Sequence, residues 1–111
     1  MNVARLNRLM TLEAPTLSPD GGGGVVAEWR ALGSHWAALS PRSGGERGEA
    51  GLTTSRVSHR ATLRWTPEGD PARPRPEQRL REGARVFDIL AVAEDRERRF
   101  VTCWLEERRR A

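Results

Sequence analysis

The sequence predicts an all-β fold, a small antiparallel β-barrel or sandwich of five or six strands with long loops. Three observations lead there. Apolar residues recur at every second position in several stretches, which is the spacing of a strand with one buried face. No stretch carries a convincing apolar stripe at helical spacing; Leu52 to Val57 makes at most a turn, and Leu80 to Arg85 is interrupted by Gly83. Clusters of Gly and Pro separate the alternating runs, as turn and loop residues do. Closing such a sheet removes its unpaired edges, which favours a barrel. The 111 residues suit one domain, spanning 1–111, with a modest core.

The first strand is expected from about Leu6 to Ala14, with Met10 and Leu12 on one face. Pro15, Pro19, Asp20 and Gly21 to Gly24 then break the pattern and mark a hairpin tip. A second strand runs from Val25 to about Ser40 and holds Trp29 and Trp36; Gly33 and Ser34 predict a bulge or bend within it. Pro41 to Ser55, with four Gly and two Ser among mixed charges, reads as a long loop. The clearest strand is Arg56 to Thr66. Val57, His59, Ala61, Leu63 and Trp65 fall on one face, and Arg56, Ser58, Arg60, Thr62, Arg64 and Thr66 on the other. Pro67 to Glu77 contains four Pro and forbids a continuous strand or helix. Arg85 to Val92 and Arg99 to Glu106 form the last two strands, joined by the short charged segment Ala93 to Arg98.

Composition narrows the function. Charged residues make up 31% of the chain, the formal net charge is +4, and every basic residue is Arg. Guanidinium forks favour bidentate pairing with carboxylates and phosphates. A positive balance is compatible with nucleic acid without requiring it, and the interspersed acidic residues equally describe an ion-paired surface. Cys103 is the only cysteine, so neither an intrachain disulfide nor a Cys-based metal site is expected. No apolar run approaches the ~20 residues that span a bilayer, so no membrane partner is expected. Met1 to Leu12 lacks the apolar stretch of a signal peptide, which predicts a protein made and kept in the cytoplasm until assembled or released.

Candidate chemistry is sparse. Gly21 to Gly24 lacks the Gly-Lys-Ser/Thr ending and following helix of a phosphate-cradling loop, so the hairpin reading stands. His35 and His59 have no acidic or Cys neighbours at ligand spacing. His59 is expected to be a packed, hydrogen-bonded ring, and Cys103, alternating with Val101 and Leu105, a small buried hydrophobe. No activating base for a nucleophile is indicated. The sequence therefore points to no enzyme, no catalytic residue, no metal and no cofactor. The four Trp, with Phe87 and Phe100, fit either a core and intersubunit role or stacking on single-stranded bases.

Several pieces, in order, resemble the phage head–tail joining (head-closure or stopper) family. They are Arg5-Leu6-Asn7-Arg8; Asp20-Gly21-Gly22-Gly23-Gly24 with Trp29 behind it; Trp36-Ala37-Ala38-Leu39-Ser40-Pro41; and Ser43-Gly44-Gly45-Glu46. Ser58-His59-Arg60-Ala61-Thr62-Leu63-Arg64-Trp65, Arg85-Val86-Phe87-Asp88-Ile89-Leu90 and Phe100-Val101-Thr102-Cys103-Trp104-Leu105-Glu106 follow. The Pro71 to Pro76 stretch is denser in proline than the family leads one to expect, and the Arg108-Arg109-Arg110 tail matches none of its motifs.

The resemblance implies a structural β-barrel subunit at the head–tail neck of a phage, or of a gene-transfer-agent-like particle. It further implies a homo-oligomeric ring, six copies favoured and twelve possible, that retains packaged DNA in its channel. Portal and adaptor proteins would lie above it and tail terminator or tail proteins below. Such a loop as Pro41 to Ser55 would project toward the channel. Arg56, Arg60 and Arg64 share a strand face at intervals of about 13 Å; they are either a solvated face or a contact with a neighbouring subunit or with DNA. Arg42, Glu46, Arg47 and Glu49 supply mixed charge that can pair between copies around an axis, or simply solvate a linker. The alternative function is an Arg-rich nucleic-acid-binding barrel acting alone.

Overall fold

The computed structural model describes residues 5–41 and 57–108. It is all-β, with strands β1 (Arg8–Pro19), β2 (Val25–Pro41), β3 (Val57–Arg64), β4 (Arg79–Glu82), β5 (Arg85–Glu94) and β6 (Phe100–Glu107). All pairings are antiparallel, and the sheet closes on itself in the order β1-β2-β3-β6-β5-β4. Closure rests on a short seam, in which Thr11, Leu12 and Glu13 of β1 face Arg81, Leu80 and Arg79 of β4.

Alternation decides which side chains enter. Met10 and Leu12 of β1, Ala61 and Leu63 of β3, Leu80 of β4, Phe87 and Ile89 of β5, and Val101, Cys103 and Leu105 of β6 form one buried cluster with Ala37. Leu32, Leu39, Trp65 and Val92 pack against it. The face anticipated for His59, Ala61 and Leu63 is buried as expected, and Arg60 and Arg64 point outward.

Three elements differ from the sequence reading. β1 runs five residues past Ala14 and contains Pro15 and Pro19, paired with Trp29 and Val25. Beyond Glu13 this strand has no neighbour on its other side, and an open edge is where a residue without an N–H is tolerated. The β1–β2 ribbon therefore projects as a two-stranded hairpin, closed at Asp20, whose carboxylate accepts from the Gly22 and Gly24 N–H groups at 2.8 and 3.0 Å. Second, Arg79–Glu82 is a strand, and the interruption at Gly83 is the first residue of a two-residue turn at φ 62°. Third, the bulge falls at Leu32, one residue before the expected site: Leu12 faces Gly33, Glu13 faces Ala31, and Leu32 is extra. The insertion lets Leu32 reach the core while Gly33, at φ 154°, lies under Ala72.

The Pro-rich segment closes one end of the barrel. Pro74 is fully buried, Ala72 accepts a 2.7 Å hydrogen bond involving the His35 ring, and Arg73 donates to Thr66 O at 2.9 Å. Turn bonds such as Arg73 N–H to Asp70 O, 2.9 Å, hold it without strand or helix.

Candidate functional site: an arginine–tryptophan wall and an ionic mouth

Two features of the barrel carry exposed chemistry. The first is the outer wall of β3. Arg64 lies opposite Phe100 and Arg60 opposite Trp104 across the β3–β6 ladder. Trp36, 54% exposed, lines a shallow depression with Leu6, Asn7 and Arg64. Among the described residues neither Arg60 nor Arg64 is within ion-pair reach of a carboxylate. Most other described arginines on the strands are neutralised. Arg79 and Arg81 both grip the buried Glu13, at 2.7 and 3.0 Å. The positive charge left available on the strands is concentrated on β3, beside aromatic surface.

The second feature is the barrel mouth opposite the Pro-rich segment. Continuing the inward alternation past the core brings Arg8, Glu82, Arg85, Glu107 and His59 to this end. Arg8 forks onto Glu82 with two bonds of 2.7 Å, and Arg85 onto Glu107 with two of 2.9 Å. The Arg8 fork holds the Glu82 carboxyl below the usual carboxylate range, with burial opposing it. Glu82 and Glu107 in turn hold the Arg8 and Arg85 guanidinium groups above their ordinary value. Arg85 also lies over the Phe87 ring at 5.0 Å, and His59 meets that ring edge-on at 5.3 Å. His59 is packed as expected. Nδ1 has no partner among the described residues, and Nε2 stands 3.9 Å from Glu107. β2 ends and β3 begins at this mouth, where Pro41 pairs with His59.

Of the residues singled out in the sequence, Arg60 and Arg64 are brought together on one exposed wall. Arg42, Glu46, Arg47, Glu49 and Arg56 lie outside the described residues, as does most of the Pro41 to Ser55 loop. Arg108 forks onto Asp88 at 2.8 and 3.2 Å, while residues 109–111 lie outside. The ionic mouth escaped sequence reading because its members are scattered over five strands. One signal was present: Arg8, Glu82, Arg85 and Glu107 each sit two residues beyond a core position on their strand.

Exposed arginine beside aromatic side chains is chemistry suited to binding. Cys103 is fully buried, and burial pushes its thiol up to about 12. Among the described residues no group of His, Cys, Asp or Glu could hold a metal ion. No helix is long and apolar enough to cross a membrane.

Comparison with known proteins agrees with this character. Residues 1–108 match the family described as phage head completion protein. No curated protein matches. Among solved structures, a chain from the virion of a native gene transfer agent particle is 45% identical, with a TM-score of 0.79 over 98% of this chain and 100% of that one. Protein SF1141 from Shigella flexneri 2a, known from a solution structure, is 21% identical with a TM-score of 0.69 over 96% of both chains, a likeness of fold. An all-β barrel that this family matches along nearly its whole length, the chain belongs to the phage head completion proteins.

Proposed function

We propose that this protein is a head–tail connector subunit that forms a ring at the neck of a phage-like particle, between portal or adaptor and tail. There it retains packaged DNA and docks the tail. The observation that carries the reading is the family match over residues 1–108, together with the 45% identical chain of a gene transfer agent virion that pairs with this one almost end to end. The structure supports it in two ways. Its outer β3 wall and projecting hairpin expose arginine and apolar side chains suited to contact, and β2 ends and β3 begins at one mouth of the barrel. Ring symmetry multiplies contacts that are weak singly. In this reading Arg60 and Arg64 face a neighbouring subunit or the DNA passage, and Arg42, Glu46, Arg47, Glu49 and Arg56 serve contacts within the ring.

Particle fractionation tests the reading. The chain should co-sediment with heads and complete particles made by its source cell. Cells lacking it should accumulate tailless heads that lose their DNA to added nuclease. Complete particles free of this chain sink the proposal.

One observation favours a second reading, a nucleic-acid-binding barrel acting alone. Unpaired Arg beside exposed Trp is the pairing that holds single strands by charge and stacking. Under that reading the isolated chain binds oligonucleotides with an affinity that falls steeply with salt, and it does not follow particles through a gradient.

A further inference from the structure

The projecting hairpin has an amphipathic construction that the barrel does not use. Directly opposed residues of an antiparallel pair share a face. The register Pro15↔Trp29, Leu17↔Ala27 and Pro19↔Val25 therefore gathers six apolar residues on one side of the ribbon. Thr16, Ser18, Glu28 and Arg30 occupy the other side with Val26. Leu17 and Val25 are each 67% exposed. Only Trp29, at the base, is engaged, under the Arg79 guanidinium at 4.0 Å. A two-stranded ribbon is marginal in water unless its apolar face packs against something.

A second uncovered apolar strip lies on the other side of the same barrel. In the closed order β1-β2-β3-β6-β5-β4, β5 and β6 stand across the barrel from β2 and β1. Their outer face carries Ala91 opposite Trp104 and Ala93 opposite Thr102, with the bulged Leu90, 56% exposed, beside them. No charged residue falls within this strip.

We propose that the apolar face of the β1–β2 hairpin of one copy docks on the β5–β6 outer wall of the next copy. Two different patches on opposite sides of one subunit make a heterologous contact, and repeating such a contact closes a ring when the rotation permits. This rests on the ring reading above and names the surfaces that build the ring. The size of the contact explains how a lone subunit carries both patches in water. A ribbon face about 17 Å long and one strand pair wide covers at most a few hundred Å² per partner, well below the ~800 Å² of a stable pair. Association is then weak for two free subunits and becomes cumulative when neighbours are held side by side on a common platform.

Cross-linking in purified particles tests the contact. Leu17→Cys, Ala91→Cys and the double variant replace the unsubstituted chain, and particles are treated with a short bismaleimide before denaturing electrophoresis. Native Cys103 is buried and does not compete. Exposed positions are used so that folding is kept, and unchanged thermal melting confirms it. The double variant should give a ladder of multiples of the chain, with each single variant remaining monomeric. With the chain present in particles, absence of the ladder overturns the docking, as do dimers from Leu17→Cys alone, which place hairpin against hairpin. Absence of the unsubstituted chain from particles instead removes the ring reading on which this contact rests.

Discussion

At the scale of single residues, Glu13 shows how this small barrel spends its charges. It is 4% exposed and shared by two arginines, one of which also stacks on Trp29. Removing one member of a buried ion pair leaves the rest desolvated and uncompensated, at a cost of about 3 kcal/mol. Glu13→Ala should lower stability by about that amount in urea unfolding and the melting temperature by about 10 °C. A change below about 1 kcal/mol would mean that Arg79 and Arg81 find water instead. The Arg8–Glu82 fork makes a pH prediction whose sign follows from its direction. The Glu82 carboxyl is held low in the fold by the Arg8 hydrogen bonds, so its stabilisation is complete above the ordinary Glu value of about 4.3 and is lost as pH falls through the lower, folded value. The raised Arg8 and Arg85 contribute throughout the neutral range, because both stay protonated there. The urea midpoint should therefore hold from pH 7 to about 5 and fall below about 4. Arg8→Gln should lower the neutral value and flatten the acid decline, whereas an equally steep decline in the variant would assign the acid loss to other carboxylates.

At the scale of elements, the strands were legible where alternation was long and punctuation was true, and not elsewhere. Val57–Arg64 needed no tertiary information, since eight residues of strict alternation leave one choice of buried face. Arg79–Glu82 carries a single buried residue, Leu80, so its four positions hold no period to detect; only the seam with β1 makes it a strand. Pro15 and Pro19 read as turn signals in the sequence, yet a missing ladder donor costs nothing on a strand whose second edge has no neighbour among the described residues. The Arg60 and Arg64 wall is visible in the sequence as a pattern, but the lack of a described carboxylate within reach of it is not, because ion pairing is decided by residues far away in sequence. The hairpin's independence makes its own prediction. Its distal half has one strand neighbour and its turn is tied by Asp20, so it should open without the barrel. Losing both of these bonds in Asp20→Ala should speed amide exchange in Thr16 to Val26 by about an order of magnitude. The melting temperature should stay within about 1 °C. A matching loss of global stability would show that hairpin and barrel unfold as one unit.

At the scale of the whole molecule, the barrel separates charge that folds it from charge that is left for others. Glu13, Glu82, Asp88, Glu94 and Glu107 each bind arginine within the chain. Those contacts bridge β1 to β4, β5 to β6 and the Pro-rich segment to β5, and they tie the closed sheet together. Arg60 and Arg64 bridge nothing among the described residues, and the side chains across from them are Trp104 and Phe100. Reversing these two charges therefore removes no ion pair among the described residues. Arg60→Glu with Arg64→Glu should melt within about 2 °C of the unsubstituted chain, as surface changes away from buried networks do. In particles the outcome should be large if the proposed ring holds, because the same substitution would recur in every copy and turn each proposed contact from attraction to repulsion toward carboxylates or phosphates. Particle yield should fall by at least tenfold, with the folded variant left in the soluble fraction. Changing Arg60 and Arg64 to Gln separates the two causes: neutralisation should leave an intermediate yield where charge is the contact, and no yield where the guanidinium fork itself is required. Normal assembly of the double Glu variant would return this wall to plain solvent and leave the hairpin and the β5–β6 strip as the surfaces that join one subunit to the next.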